Sequence, residues 1–158
     1  MKIRHSTLDD PRIVALVRLH LSGMHEASPP GSVYALDDSG LRSPDVSVFT
    51  AWEGEELLGM GALREIDRGW GEIKSMRTDP AHLRRGVGRA ILEHLLGVAR
   101  ERGYSRVSLE TGSGPAFEAA IAMYRARGFV PGEPFGGYVP SEFNQFMHLD
   151  VRGIEQGS

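Results

Sequence analysis

The sequence predicts an α/β domain of the α+β kind, a mixed sheet with helices on its faces, and three observations carry that expectation. Alternating β-rich runs cluster between residues 46 and 78 with short turns between them. From Gly86 to Arg102, Val87, Ala90, Ile91, Leu95 and Val98 recur at the spacing of one helix face, and Gly103 stands where a C-terminal cap belongs. A length of 158 residues with 41% hydrophobic composition suits one substantial core, so a single domain is expected over 1–152, with 153–158 as a disordered tail.

Taken in order, Ile3-Arg4-His5-Ser6 reads as a first strand. Asp9 or Asp10 can cap a helix with Pro11 in its first turn and Ile13, Leu16, Val17 and His20 or Leu21 on its buried face. From Gly23 to Pro44 the pattern breaks, and prolines and glycines punctuate a long polar loop containing Asp37 and Asp38. Val46–Trp52 and Leu57–Leu63 form a hairpin about a glycine-containing turn, and Asp67-Arg68-Gly69 turns the chain into Trp70–Thr78, a strand of alternating polar and apolar positions. Asp79-Pro80 stops that strand. After the long helix come a strand at Val107–Thr111, a helix carrying Phe117, Ala120, Ile121 and Tyr124 and closed by Gly128, and a last strand from Phe143 to Val151.

Composition excludes several chemistries. There is no cysteine, so disulfides, thiolate nucleophiles and cysteine-held zinc are absent. The six histidines show no metal-ligand spacing, and no metal is expected. With a net charge of −3 and no long Lys/Arg run, nucleic acid is not an expected partner. No apolar run approaches the roughly 20 residues that span a bilayer, and the N-terminus lacks an apolar signal region. The expectation is a cytoplasmic chain with no membrane partner.

The basic cluster Arg84, Arg85 and Arg89 surrounds Gly86-Val87-Gly88 at the start of the long helix. Glycines allow a ligand close to the main chain, while the unpaired N–H groups and dipole of a helix N-terminus favour an anion. A tight turn with solvated arginines is the plain alternative. Neither standard nucleotide motif fits: a Walker loop needs Gly-Lys-Ser/Thr where Gly88-Arg89-Ala90 stands, and a Rossmann fingerprint needs a glycine where Ile91 stands.

The run from Glu72 to Phe129 resembles the GNAT N-acetyltransferase superfamily, in two separated segments. Its central motif is matched by Gly86 and Gly88, with Pro80 upstream, and its later signature by Ala120, Tyr124, Gly128 and Phe129. Leu83 and Phe117 depart from the family pattern, standing where Arg or Gln and Asn are usual. The resemblance implies a mostly antiparallel central sheet with a splayed strand pair. It implies acetyl-CoA as cosubstrate, its pantetheine arm along Met76-Arg77-Thr78 and its pyrophosphate over Arg84, Arg85, Gly86, Val87, Gly88 and Arg89. It further implies Glu72 as general base and Tyr124 as the group that protonates or hydrogen-bonds the sulfur; a solvent-facing strand glutamate and a core aromatic are the plain alternatives.

Three weaker acceptor-site candidates are His25 and Glu26, in the long loop, and Glu110, which either faces the acceptor from its strand end or pairs with an arginine. His82 reads as a surface histidine. The expected reaction moves an acetyl group to the primary amine of a small molecule by direct attack in a ternary complex. A protein N-terminus or lysine as acceptor, and a non-catalytic acyl-CoA-binding module, stay open. Dimers are common among similar proteins, and the apolar final strand (Phe143, Phe146, Met147, Leu149) offers a face for a homodimer.

Overall fold

The computed structural model describes residues 1–152; the expected tail at 153–158 lies outside the described residues. The elements are β1 (Lys2–Ser6), α1 (Pro11–Ala27), α2 (Asp38–Leu41), β2 (Val46–Glu53), β3 (Glu56–Asp67), β4 (Trp70–Thr78), α3 (Val87–Glu101), β5 (Arg106–Thr111), α4 (Glu118–Arg127), β6 (Val130–Pro131) and β7 (Gln145–Asp150). They build one seven-stranded sheet in the order β1-β2-β3-β4-β5-β7-β6. Every neighbouring pair is antiparallel except β4 with β5.

Helices cover both faces, and the apolar patterning of the sequence explains which goes where. On one side Ile13, Leu16 and Val17 of α1 pack with Leu41 of α2 onto Val48, Trp52 and Met60. On the other, Ile91, Leu92, Leu95 and Leu96 of α3 pack with Tyr124 and Phe129 onto Phe49, Leu63 and Val107. Gly61 sets how closely α3 lies on β3, since a Cβ there would stand 2.7 Å from Ile91 Cγ2.

Three boundaries differ from expectation. The helix α1, capped by the Asp10 side chain accepting from Arg12 N at 2.9 Å, runs through Gly23 to Ala27 instead of breaking. A mid-helix glycine weakens a helix by about 1 kcal/mol relative to alanine, and the packing of the apolar face outweighs it. Asp37 caps a short helix, α2, inside the expected loop. The last strand is shorter than predicted, and both its edges are taken, by β5 and by the unanticipated β6. Phe146 and Met147 are buried within the chain, Met147 in the core beneath α3 and Phe146 against Phe135 and Tyr138. No helix among the described residues is long and apolar enough to cross a membrane.

Two irregularities of β4 position the site. Its parallel pairing with β5 covers only Trp70–Glu72 against Arg106–Ser108, and beyond Ser108 the ladder ends, which is the splayed pair. Against β3, Lys74 faces Ala62 and Arg77 faces Met60, so Ser75 and Met76 together oppose Gly61. That is a β-bulge, and Ser75 takes φ 56° to make it.

Candidate active site

The gap between the splayed strands opens into a cavity of about 840 Å³. One wall is β4 from Ile73 to Thr78, the other Leu109 to Gly112 at the end of β5. The start of α3 closes one end, α4 contributes Met123 and Tyr124, and Met24, Ser28 and the segment Ser32–Ala35 cover the remaining side.

At the α3 end, Gly86 is the N-cap, with φ 78° and no side-chain cap hydrogen bond. The first N–H groups of α3 therefore have no side-chain acceptor, and a helix start in that condition favours an anion. Arg84 also holds a left-handed conformation, φ 65°, a strain that costs about 1–3 kcal/mol and clusters at functional sites. Arg84, Arg85 and Arg89 are exposed around it, while Val87 is anchored in the core. Gly88 faces Thr78 and Met123, where a Cβ would stand 3.4 Å from Met123 Sδ and 3.8 Å from Thr78 Oγ1. Uncapped amides, a glycine-opened main chain and exposed arginines fit a diphosphate. Met76, Arg77, Thr78, Arg84, Gly86, Val87, Gly88 and Arg89 line the cavity. Arg85 is not among its lining residues, and its Nη1 lies 3.1 Å from His82 Nδ1. His82 itself is buried and lies 2.8 Å from Glu56, correcting the expectation of a surface histidine.

Tyr124 presents itself at the cavity although its residue is buried. Burial pushes its hydroxyl pKa above the ordinary tyrosine value, so it holds its proton at neutral pH. The ring packs on Phe129 at 5.7 Å, so the core-aromatic reading holds for the ring.

Of the two glutamates, Glu110 faces the cavity from its strand end, one of the two settings expected for it, and Glu72 does not. Glu72 is 1% exposed and does not line the cavity. It sits where β4 is still paired with β5, below the opening. Its carboxylate accepts from the Tyr138 hydroxyl and has Lys74 Nζ at 3.6 Å and Arg64 Nη1 at 3.9 Å. Glu110 does line the cavity. It lies beyond the last β4–β5 pair, and burial, with the nearby Glu72 charge adding to it, pushes its carboxyl up to about 7. Opposing that shift are the Lys74 charge and the polar Asn144 side chain nearby. A carboxyl poised near neutrality on a cavity wall can both accept and release a proton at physiological pH.

Lys74 pairs with Glu72 and lies within electrostatic reach of Glu110. Its Nζ donates to Tyr34 O at 3.2 Å and to Tyr138 Oη at 2.5 Å, and desolvation lowers its pKa despite both glutamates. Tyr138, raised in pKa by burial and by Glu72, stacks edge-on against Tyr34 at 5.0 Å and against Phe135 at 5.4 Å. Neither Tyr138, in the connection before β7, nor Lys74 was anticipated. Lys74 alone carried a signal, as a cation inside a strand that also holds apolar positions. His25 and Glu26 are exposed on the last turn of α1 and do not line the cavity. The continuation of the helix carries them outward, and Met24 and Ser28 take the places facing inward. Among the described residues no cluster of three or more His, Cys, Asp or Glu could hold a metal ion.

This architecture has counterparts. The acetyltransferase (GNAT) family model matches residues 13–129. The chain is 46% identical over 147 residues to the uncharacterized N-acetyltransferase YsnE of Bacillus subtilis, covering 93% of this chain and 97% of that protein. It is 34% identical over 146 residues to the IAA acetyltransferase of Azospirillum brasilense, covering 91% and 93%. A crystal structure from Klebsiella pneumoniae, described as an acyl-CoA N-acyltransferase, superposes with a TM-score of 0.77 at 26% identity, over 95% of this chain and 97% of that one. The chain therefore belongs to the acetyltransferase (GNAT) family, whose members use acetyl-CoA as acetyl donor.

Proposed function

We propose that the protein acetylates the primary amine of a small molecule by direct attack within a ternary complex, with Glu110 as the base and Tyr124 as the proton donor. The observation that carries this reading is that both groups line one cavity, a carboxyl pushed up to about 7 and a buried, protonated phenol. Bound acetyl-CoA supplies an activated thioester. The segment Arg84–Arg89 fixes the diphosphate, the open edge of β4 at Met76–Thr78 offers main-chain groups to the pantetheine arm, and these contacts set the position of the reacting carbonyl.

An alkylamine with a pKa near 10.4 arrives mostly protonated at neutral pH. Glu110, as carboxylate, takes one proton from the ammonium, directly or through a water, and leaves a neutral nucleophile. Tyr124 gives its hydroxyl proton to the departing sulfur, and its phenolate recovers one from the nitrogen as the amide forms. Glu72 acts through others: it receives the Tyr138 hydroxyl bond, pairs with Lys74 and raises the pKa of Glu110. It is a positioning residue in this reading, so the base role implied for it by family resemblance passes to Glu110. The small-molecule acceptor is supported by the coverage of the cavity by Tyr34 and its neighbours and by a relative named as an IAA acetyltransferase.

Thiol-release screening over an amine library tests the reading. Turnover of one or more small amines is expected, with Glu110→Gln and Tyr124→Phe both impaired and both still binding acetyl-CoA. Wild-type turnover in both variants would overturn the assigned roles. Acetyl-CoA binding without thiol release for any amine would favour a sensor, and turnover confined to peptides would favour a protein acceptor.

A further inference from the structure

The β4 bulge has a second consequence, on the face of the sheet toward α1. In an unbroken strand Lys74, Met76 and Thr78 would share one face. The extra residue at Ser75 instead sends Met76 toward α3, against Ile91 and Leu95 at Gly61, and turns Arg77 to the α1 side with Lys74.

Arg77 is held there by its surroundings. Its Nε donates to His20 Nδ1 at 2.9 Å and its Nη2 to the His20 carbonyl at 3.4 Å. The His20 ring must be neutral to accept that bond, and burial beside Arg77 and Lys74 lowers its pKa to about 4. The guanidinium lies over Gly23, where a Cβ would stand 2.8 Å from Nη2, so the mid-helix glycine makes its berth. Among the described residues no carboxylate lies within ion-pair distance of it. A half-buried guanidinium whose partners are an imidazole and a carbonyl keeps its charge uncompensated.

A second observation stands beside it. Ser75 Oγ, in a residue 8% exposed, is the one buried side-chain polar atom among the described residues with no hydrogen-bond partner. Ser75, Arg77, Lys74 and His20 all line the cavity. An unpaired buried hydroxyl is destabilising unless something satisfies it, and Ser75 already holds a left-handed conformation at φ 56°.

We infer that Arg77 and Ser75, with Lys74 adding positive field, form a carboxylate subsite for the acceptor, so that the substrate is an amino acid or a similar amine bearing a free carboxylate. The inference rests on the amine-acetylation reading. The carboxylate accepts from the guanidinium, and from Ser75 Oγ once that hydroxyl turns out of the wall in which it is now buried, while the amine end lies toward Glu110. Substrate and site then match in charge at both ends: the acid meets Arg77, and the ammonium meets a carboxyl able to discharge it. The diphosphate is held separately, at the start of α3.

The test reads binding and turnover in parallel. N-acetyl amino acids, which are products on this account and cannot react, are titrated calorimetrically against the full chain, each beside its carboxamide. The free acids are expected to bind at least about tenfold tighter, because a site built to bond a polar group discriminates strongly against its loss. Arg77→Met should abolish that preference, Arg77→Lys should keep part of it, and Ser75→Ala should narrow it, all with unchanged acetyl-CoA affinity. Gly23→Ala, which displaces the guanidinium without removing it, should narrow it too. Amino acids should likewise outperform their amides and decarboxylated amines in thiol release. Equal binding of acids and amides, or no binding of any acid, overturns the subsite. A weakened acetyl-CoA affinity in Arg77→Met overturns it as well, by assigning the guanidinium to the cofactor. Arg77-dependent acid binding with no thiol release from any amine would leave the subsite standing and remove the catalytic reading.

Discussion

The two ends of the cavity are built by opposite means. The α3 end is local and made largely of main chain: six consecutive residues, two of them glycine, present amides at the start of a helix whose other face is anchored by Val87, Ile91 and Leu95. The end beneath α1 is assembled from side chains of remote segments: His20, Tyr34, Lys74, Arg77 and Glu110, with Tyr138 bonded behind Lys74. The first is suited to a constant ligand and the second to a selected one. A main-chain cradle depends little on which side chains surround it, whereas a side-chain cluster can be rewritten one residue at a time. Mutations at the two ends should accordingly separate donor binding from acceptor chemistry.

The largest effect expected is at Glu110. Glu110→Gln keeps the shape and removes the base, and kcat/KM should fall about 10²–10⁴-fold with acetyl-CoA affinity intact, as steady-state kinetics beside calorimetry will read. Gly88→Asp makes the complementary break. It puts a carboxylate at the proposed diphosphate site, and acetyl-CoA affinity should weaken by about a hundredfold, since like charges juxtaposed cost several kcal/mol, while the far-ultraviolet spectrum stays native. Tyr124→Phe should lower kcat about tenfold to a hundredfold with KM nearly unchanged, the pattern of a contact made in the transition state. The smallest effect on rate is expected at Tyr138→Phe, which removes the donor to Glu72 and the acceptor for Lys74. Turnover should fall about tenfold or less, and denaturant unfolding should show a loss of about 1–3 kcal/mol, from buried polar groups left short of a partner.

The same contrast explains how much was legible in the sequence. The α3 end could be read because its determinants are contiguous: glycines at 86 and 88, arginines around them, an amphipathic helix behind. Tyr124 could be read for a similar reason, from the short stretch ending at Gly128-Phe129. The mixed sheet and its element order followed from periodicity, with the family resemblance adding the splayed pair.

The acceptor end hid itself in three ways. Strand alternation assumes an unbroken ladder, and the bulge at Ser75 reverses the face of every β4 residue after it, which is how Arg77 comes to join Lys74. The strand splay decides which glutamate is open to the cavity: Glu72 lies in the last β4–β5 pair and Glu110 lies past it, a distinction no local pattern carries. Tyr34 and Tyr138 sit outside regular strands and helices and meet only through the fold, 5.0 Å apart. His25 and Glu26 stand away from the cavity lining because packing carried α1 through Gly23, against the local propensity.

The pH dependence of kcat/KM tests the assignment of the base most directly. The active form of Glu110 is the carboxylate, and its folded-state pKa is raised to about 7. In the wild type kcat/KM should therefore rise with pH through a limb near 7, distinct from the ionisation of an alkylamine near about 10.4. Glu110→Gln should lose that limb, and Glu72→Gln should shift it downward, since the Glu72 charge helps raise it. A limb that persists in Glu110→Gln and vanishes in Glu72→Gln would contradict the account and return the base role to Glu72.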